Sequence, residues 1–161
     1  MKYALNIGDK APEFKGEDQN GKAISLENMK GKMFVIYFYP MDDTPGCALE
    51  ACSFRDNLAG LQNLGIDVVG VSPDNSQSHE KFSLKHKLNF SLIPDESLEI
   101  CRKYDIYRTK DEGGKTVQKL ERTTFIVGPQ GQILWAERPV NVEGHLERVL
   151  DALKTESSKS K

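Results

Sequence analysis

The sequence predicts an α/β domain with a mixed central sheet and helices on both faces, on three observations. MFVIYFY (33–39) and IDVVGVS (66–72) are continuous apolar runs of β-branched and aromatic residues, as strands covered on both faces require. Between them Cys47, Ala51, Phe54, Leu58 and Leu61 recur at helical spacing, and a strand, helix and strand in that order form a right-handed crossover with parallel strands. Late in the chain RTTFIVGPQGQILWAER holds two strands, 123–127 and 133–137, joined by a Gly-Pro-Gln-Gly turn that makes them antiparallel.

The remaining elements fall in between. Asn20-Gly21 ahead of 22–26 reads as a turn feeding a short edge strand or hairpin. The first long helix enters at Thr44-Pro45-Gly46 and stops near Gly65. Residues 78–88 form a mostly polar amphipathic helix, SLI before Pro94 a short apolar piece, and SLEICRKYDI a further short helix. A closing helix over 143–154 lines up Leu146, Val149, Leu150 and Leu153. No repeat or internal linker divides the chain, so residues 1–154 are expected to be one domain. TESSKSK, with nothing to bury, is read as a disordered tail over 155–161.

A chain of 161 residues buries roughly two thirds of its unfolded surface without a disulfide staple. Its net charge of -2, with both signs interspersed, gives no polyanion-binding face, so nucleic acid is not an expected partner. No apolar run could span a bilayer and the amino terminus has no h-region, which predicts a soluble cytosolic protein that does not engage membranes. In a reducing compartment three cysteines point to catalysis, redox sensing or metal binding rather than to a framework.

Cys47 draws the most weight. With Thr44 as N-cap and Pro45 at the first helical position, Cys47 takes the third, where a capping box carries an acid. Unpaired N–H groups and the helix dipole favour an anion there. An ordinary thiol needs about 2.7 kcal/mol to be mostly ionised at neutral pH, and a helix terminus supplies about 0.3 to 1 kcal/mol, so a nearby cation is required. The site would lie at a strand's carboxyl end, where α/β sheets bind their ligands. The bland alternative is a small buried hydrophobe, which is what most free cysteines are.

Cys52 lies five residues on. On an ideal helix that spacing separates the Cα atoms by about 8.6 Å, beyond the roughly 7 Å a disulfide tolerates. Pairing the two would unwind the first turns, making the bond a switch between two states. Inert packing is the other reading of Cys52. Cys101, one helical step from Leu98, reads as packing, with backup resolution of an oxidised Cys47 as the alternative. His79, His86 and His145 lack ligand spacing and read as solvated helix faces, so neither a metal nor another cofactor is expected.

Pro40-x-x-x-Thr44-x-x-Cys47, followed by Glu50, Cys52 and Phe54-Arg55-Asp56, resembles the active-site signature of the peroxiredoxins, and Cys-x4-Cys resembles their peroxiredoxin Q, or bacterioferritin comigratory protein, group. The likeness covers most of the chain, from GDKAPEF through RTTFIV to the helix after VNVEGH. It implies a thioredoxin-like fold and a thiol peroxidase acting on hydrogen peroxide and organic hydroperoxides. In that group Cys47 matches the peroxidatic cysteine and Cys52 the resolving one, the resulting disulfide being reduced by thioredoxin or a similar dithiol. Thr44 matches the hydroxyl that contacts the peroxide, Pro40 the shield against water, and Arg122 the cation that stabilises thiolate and leaving oxygen. A monomer, at most a weak dimer, is implied. The chain departs from the pattern at Ala48, where the family commonly has Thr, and at Met41, where it has Lys. Alternative functions are a general thiol-disulfide oxidoreductase, disfavoured by the lack of Cys-x-x-Cys, and a non-catalytic binding module.

Overall fold

The computed structural model describes residues 3–159. Its elements in chain order are β1 (Lys15–Glu17), β2 (Ala23–Ser25), β3 (Phe34–Phe38), α1 (Pro45–Asn63), β4 (Asp67–Ser72), α2 (Ser76–His86), β5 (Ser91–Pro94), α3 (Glu99–Lys103), β6 (Tyr107–Glu112), β7 (Lys115–Leu120), β8 (Thr123–Val127), β9 (Ile133–Glu137) and α4 (His145–Lys159). Five strands make the central sheet in the order β5-β4-β3-β8-β9. β3 pairs parallel with β4 and β4 with β5, whereas β8 runs antiparallel to both β3 and β9. The mixed α/β sheet is as the sequence predicts. None of the described helices is long and apolar enough to cross a membrane.

Successive side chains of the central strands alternate between two core layers. Phe34, Ile36 and Phe38 of β3 face one core layer with Phe125, Tyr104, Ile100 and Cys101, so α3 and the amino-terminal segment cover that side. Val35 and Tyr37 face the other layer, built on Phe54, Leu58 and Leu61 of α1, Phe82 of α2 and Val149 and Leu153 of α4. Gly70 of β4 is required in this second layer: a Cβ there would lie 2.9 Å from Leu92 Cδ2 and 3.0 Å from Tyr37 Cζ. Its absence lets the Tyr37 ring lie flat between the sheet and α1, stacked on Phe54 at 4.9 Å between centroids.

α1 begins where Pro45 expects it and ends in a Schellman arrangement. Gly65, at φ 77°, donates to Gln62 O, and Ile66 donates to Leu61 O. Three features differ from expectation. The hairpin β6–β7 carries a polar, outward-facing pattern with almost no apolar alternation, so periodicity does not announce it. α4 runs through Lys159, so residues 155–159 of the expected disordered tail are helical; Thr155 donates its hydroxyl to Asp151 O one turn back. The last two positions of that tail, 160 and 161, lie outside the described residues. His79 and His145, read as solvated, are buried in the second layer beside acidic partners.

Candidate active site

The register between β3 and β8 builds the site. Phe38, the last residue of β3, pairs with Thr123, the first of β8, so Arg122 stands at the mouth from which the chain leaves β3 for α1. Its carbonyl accepts from Val140 N at 2.8 Å, which ties the start of β8 to the segment after β9. Cys47 sits in the first turn of α1, and Arg122 Nη2 donates to its Sγ at 3.1 Å. The cation that the dipole argument requires is therefore in contact with the sulfur, which is 1% exposed.

The second arm of the guanidinium, Nη1, donates to Glu50 Oε1 at 2.8 Å. One planar group thus spans a thiol and a carboxylate on the same helix, a fork geometry that lysine cannot reproduce. Glu50 has no exposed side-chain surface, and burial raises its pKa to about 7 although Arg122 opposes the shift. Its Oε2 lies 3.3 Å from His145 Nδ1, and burial lowers the His145 pKa to about 4. Between about pH 4 and 7 the two shifts put the proton on the carboxyl and leave the imidazole neutral. Burial opposes the charge on Arg122, but Glu50 and Cys47 outweigh it and raise its pKa. The sequence motif contains Glu50 but carries no sign of its pairing with a residue 72 positions away.

Thr44 occupies the N-cap position of α1 without making the expected cap: its hydroxyl donates instead to Met41 O at 3.3 Å. The side chain is half-buried, on the chain segment leading to Cys47. Gly46, between Thr44 and Cys47, lies beside the Arg122 guanidinium: a Cβ there would be 3.4 Å from Nη2, an ordinary contact. Pro40 heads the same loop and is exposed. The loop is anchored from behind by Asp42, which accepts from Tyr39 Oη at 2.7 Å and Ser78 Oγ at 2.8 Å, and pairs with His79 Nδ1 at 2.7 Å. Its backbone N–H donates to Asp74 Oδ2 at 2.7 Å, an oxygen that also accepts from Ser72 Oγ. Asp42, Asp74 and His79 bring potential ligand atoms within 4.8 Å of one another, but these hydrogen bonds already engage them and make the trio a loop anchor.

The three cysteines are unpaired. α1 is continuous through positions 47 and 52, so the folded helix holds the two sulfurs apart. Cys52 is half-buried and faces α2, where its Sγ lies 3.7 Å from His86 Nδ1. Cys101 is fully buried in the opposite core layer; burial, then Asp95, push its thiol pKa strongly upward. The sheet separates it from Cys47, consistent with the packing expected of it.

Comparison with known proteins places the chain in a family. Residues 7–136 match the AhpC/TSA family. Peroxiredoxin Bcp of Bacillus subtilis is 38% identical over 155 residues, covering 96% of this chain and 99% of that protein. Peroxiredoxin Bcp of Escherichia coli K12 is 35% identical over 93% of this chain and 96% of its own. Among solved structures, the bacterioferritin comigratory protein of Xanthomonas campestris, described for its alkyl peroxide reduction activity, superposes with a TM-score of 0.89 at 35% identity, covering 97% of this chain and 99% of that one. A guanidinium on a cysteine in the first turn of a helix, on a thioredoxin-like sheet with these relatives, identifies the chain as a member of the AhpC/TSA family, in its peroxiredoxin Q/Bcp branch.

Proposed function

We propose that this peroxiredoxin reduces hydrogen peroxide and organic hydroperoxides through Cys47 and Cys52. The observation that carries the reading is the 3.1 Å hydrogen bond from Arg122 to the Cys47 sulfur at a helix amino terminus. The Cys47 thiolate attacks one peroxide oxygen; the S–O bond forms, the O–O bond breaks, and the departing oxygen leaves as water or an alcohol after taking up a proton. Arg122 stabilises charge on sulfur first and on the departing oxygen afterwards. Thr44 lies on the same approach and orients the peroxide through its hydroxyl, while Pro40 shields the loop from bulk water.

Cys52 then attacks the sulfenic acid, forming an intramolecular disulfide and releasing water, and thioredoxin or a similar dithiol restores both thiols. The half-exposed position of Cys52 supports this assignment, and Cys101 lies in the other core layer. The protein works as a cytoplasmic monomer without a cofactor. The experiment is peroxide consumption coupled to thioredoxin and its reductase. Cys47→Ser is expected to abolish turnover, Cys52→Ser to stop it after one equivalent, and peptide mapping of peroxide-treated protein to find a Cys47–Cys52 link. An unchanged rate in Cys47→Ser, or a link from Cys47 to Cys101 or to a second chain, would overturn the reading.

A further inference from the structure

Cys52 is engaged by an arrangement that the scheme above leaves unused. His86, the last residue of α2, presents Nδ1 to Cys52 Sγ at 3.7 Å and Nε2 to Asp43 Oδ1 at 2.9 Å. Asp43 Oδ2 accepts from Lys85 Nζ at 2.6 Å, and hydrogen bonds from Lys85 first and His86 second hold the Asp43 carboxyl below the usual carboxylate range. Asp43 itself sits at φ 61°, a conformation a non-glycine residue adopts at some cost, which aims its side chain back toward α2. The imidazole is fixed on its face by Phe82, edge-on at 5.1 Å, and the His86 carbonyl accepts from Arg55 Nη1 at 2.6 Å. Thiol, imidazole and carboxylate are thus aligned, with the ring oriented by a third group in the manner of an activated cysteine nucleophile.

We propose that His86, oriented by Asp43, is the acid-base catalyst of the resolving step at Cys52. The proposal rests on the assignment of Cys52 as the resolving cysteine. Nε2–H donates to the Asp43 carboxylate, so Nδ1 is the free acceptor. It takes the proton from the Cys52 thiol; the thiolate attacks the sulfur of the Cys47 sulfenic acid, the S–S bond forms and the S–O bond breaks. The departing hydroxide takes the proton back from Nδ1 and leaves as water, so the histidine ends neutral and no external reactant is consumed. Asp43 is a positioning residue that acts through the ring.

His86 also touches both flanks of the segment that must change shape, through Asp43 ahead of Cys47 and through Cys52 and Arg55 behind it. A tether and a base predict opposite results when the ring is removed. Losing a tether lets the segment open sooner and speeds disulfide formation, whereas losing a base slows it. The titratable and charged groups facing the ring are Asp43, Lys85, Cys52 and Arg55. An ordinary thiol is about 3% ionised at pH 7 and mostly ionised at pH 9, so a base gains at most about 30-fold at the lower pH and little at the higher.

The test mixes reduced protein with one equivalent of hydrogen peroxide and follows sulfenic acid and disulfide separately by quenched-flow mass mapping. In His86→Asn the disulfide is expected to form 10- to 30-fold more slowly than in wild type at pH 7, with the gap closing by pH 9. In His86→Ala, added imidazole should restore part of the rate. Asp43→Asn, at an exposed position that leaves folding intact, should slow the same step in the same direction and by less. With peroxide in excess, a slower step also exposes the sulfenic acid to a second peroxide, so overoxidised Cys47 should accumulate in all three variants. An unchanged or faster disulfide step in these variants, or slowing that is equal at both pH values and insensitive to imidazole, would overturn the proposal. A Cys47–Cys52 disulfide that forms independently of His86 removes the acid-base role alone, while a disulfide mapped elsewhere removes the assignment of Cys52 beneath it.

Discussion

Glu50 and His145 lie against each other with opposite titration shifts, and their effects on stability oppose one another. Glu50 has a folded pKa of about 7 against an ordinary 4.5, so its contribution is fully present below about pH 4.5 and is lost as the pH rises through about 7. His145 has a folded pKa of about 4 against 6.5, so its contribution is present above about 6.5 and is lost as the pH falls through about 4. Between about 4.5 and 6.5 the pair is nearly neutral in its pH dependence. Glu50→Gln keeps the shape and removes one of the two terms. The difference in unfolding free energy, variant minus wild type, should therefore climb between pH 4.5 and 7, which urea melts at several pH values would measure. A flat difference would mean that Glu50 is already ionised throughout that range. Cys47 was legible from its own helix-start motif, and Arg122 only through the family resemblance, since alone it reads as a surface charge at a strand end. The burial of Glu50, His79 and His145 was not, because their partners come from distant segments, and a lone polar residue in a helical pattern gives no sign of which face it takes.

At the level of elements, two helix starts of similar sequence logic divide into a structural one and one free for chemistry. Asn75 caps α2, its Oδ1 accepting from Ser78 N at 2.8 Å, whereas Thr44 heads α1 with its hydroxyl turned away to Met41 O. Asn75→Ala should cost about 1 kcal/mol of stability and leave peroxide turnover unchanged. Thr44→Val should cost well under that in stability while lowering the rate of Cys47 oxidation by about tenfold or more, if the hydroxyl orients the peroxide. Denaturant midpoints and single-turnover rates on both variants separate the two cases, and a loss of stability in Thr44→Val equal to that in Asn75→Ala would return Thr44 to a plain cap. Elements with a buried face were readable: β3, β4 and β8 are short apolar runs buried along nearly their whole length, and α1 carries helical apolar spacing on its buried side. The hairpin β6–β7 and the last turns of α4 were not, since one faces outward along most of its length and the other is polar in sequence.

Over the whole molecule, the helix that carries both proposed redox cysteines also closes one side of the sheet, so chemistry and folding share a structural element. Cys47, Glu50, Ala51 and Phe54 of α1 are buried against β3 and α4, and Glu50 lies between the two cysteines. Joining Cys47 to Cys52 closes a loop so short that its entropic gain is only about 2 kcal/mol. It also requires unwinding the turns that bury Cys47 and Ala51, and it pulls Glu50 from its hydrogen bond with the Arg122 guanidinium, a contact of a kind that contributes about 1.5 to 3 kcal/mol. The balance favours the reduced fold, the reverse of what a structural disulfide does. The peroxide-oxidised protein should therefore melt lower than the reduced protein, by about 5 °C for a domain of this size, and lose far-UV helical signal equivalent to one or two turns. Scanning calorimetry and circular dichroism on the two forms, with Cys52→Ser as a control that cannot close the loop, measure both effects. A higher melting temperature with unchanged helicity would mean that the sulfurs meet without unwinding α1, and the coupling between redox state and local order would have to lie in another segment.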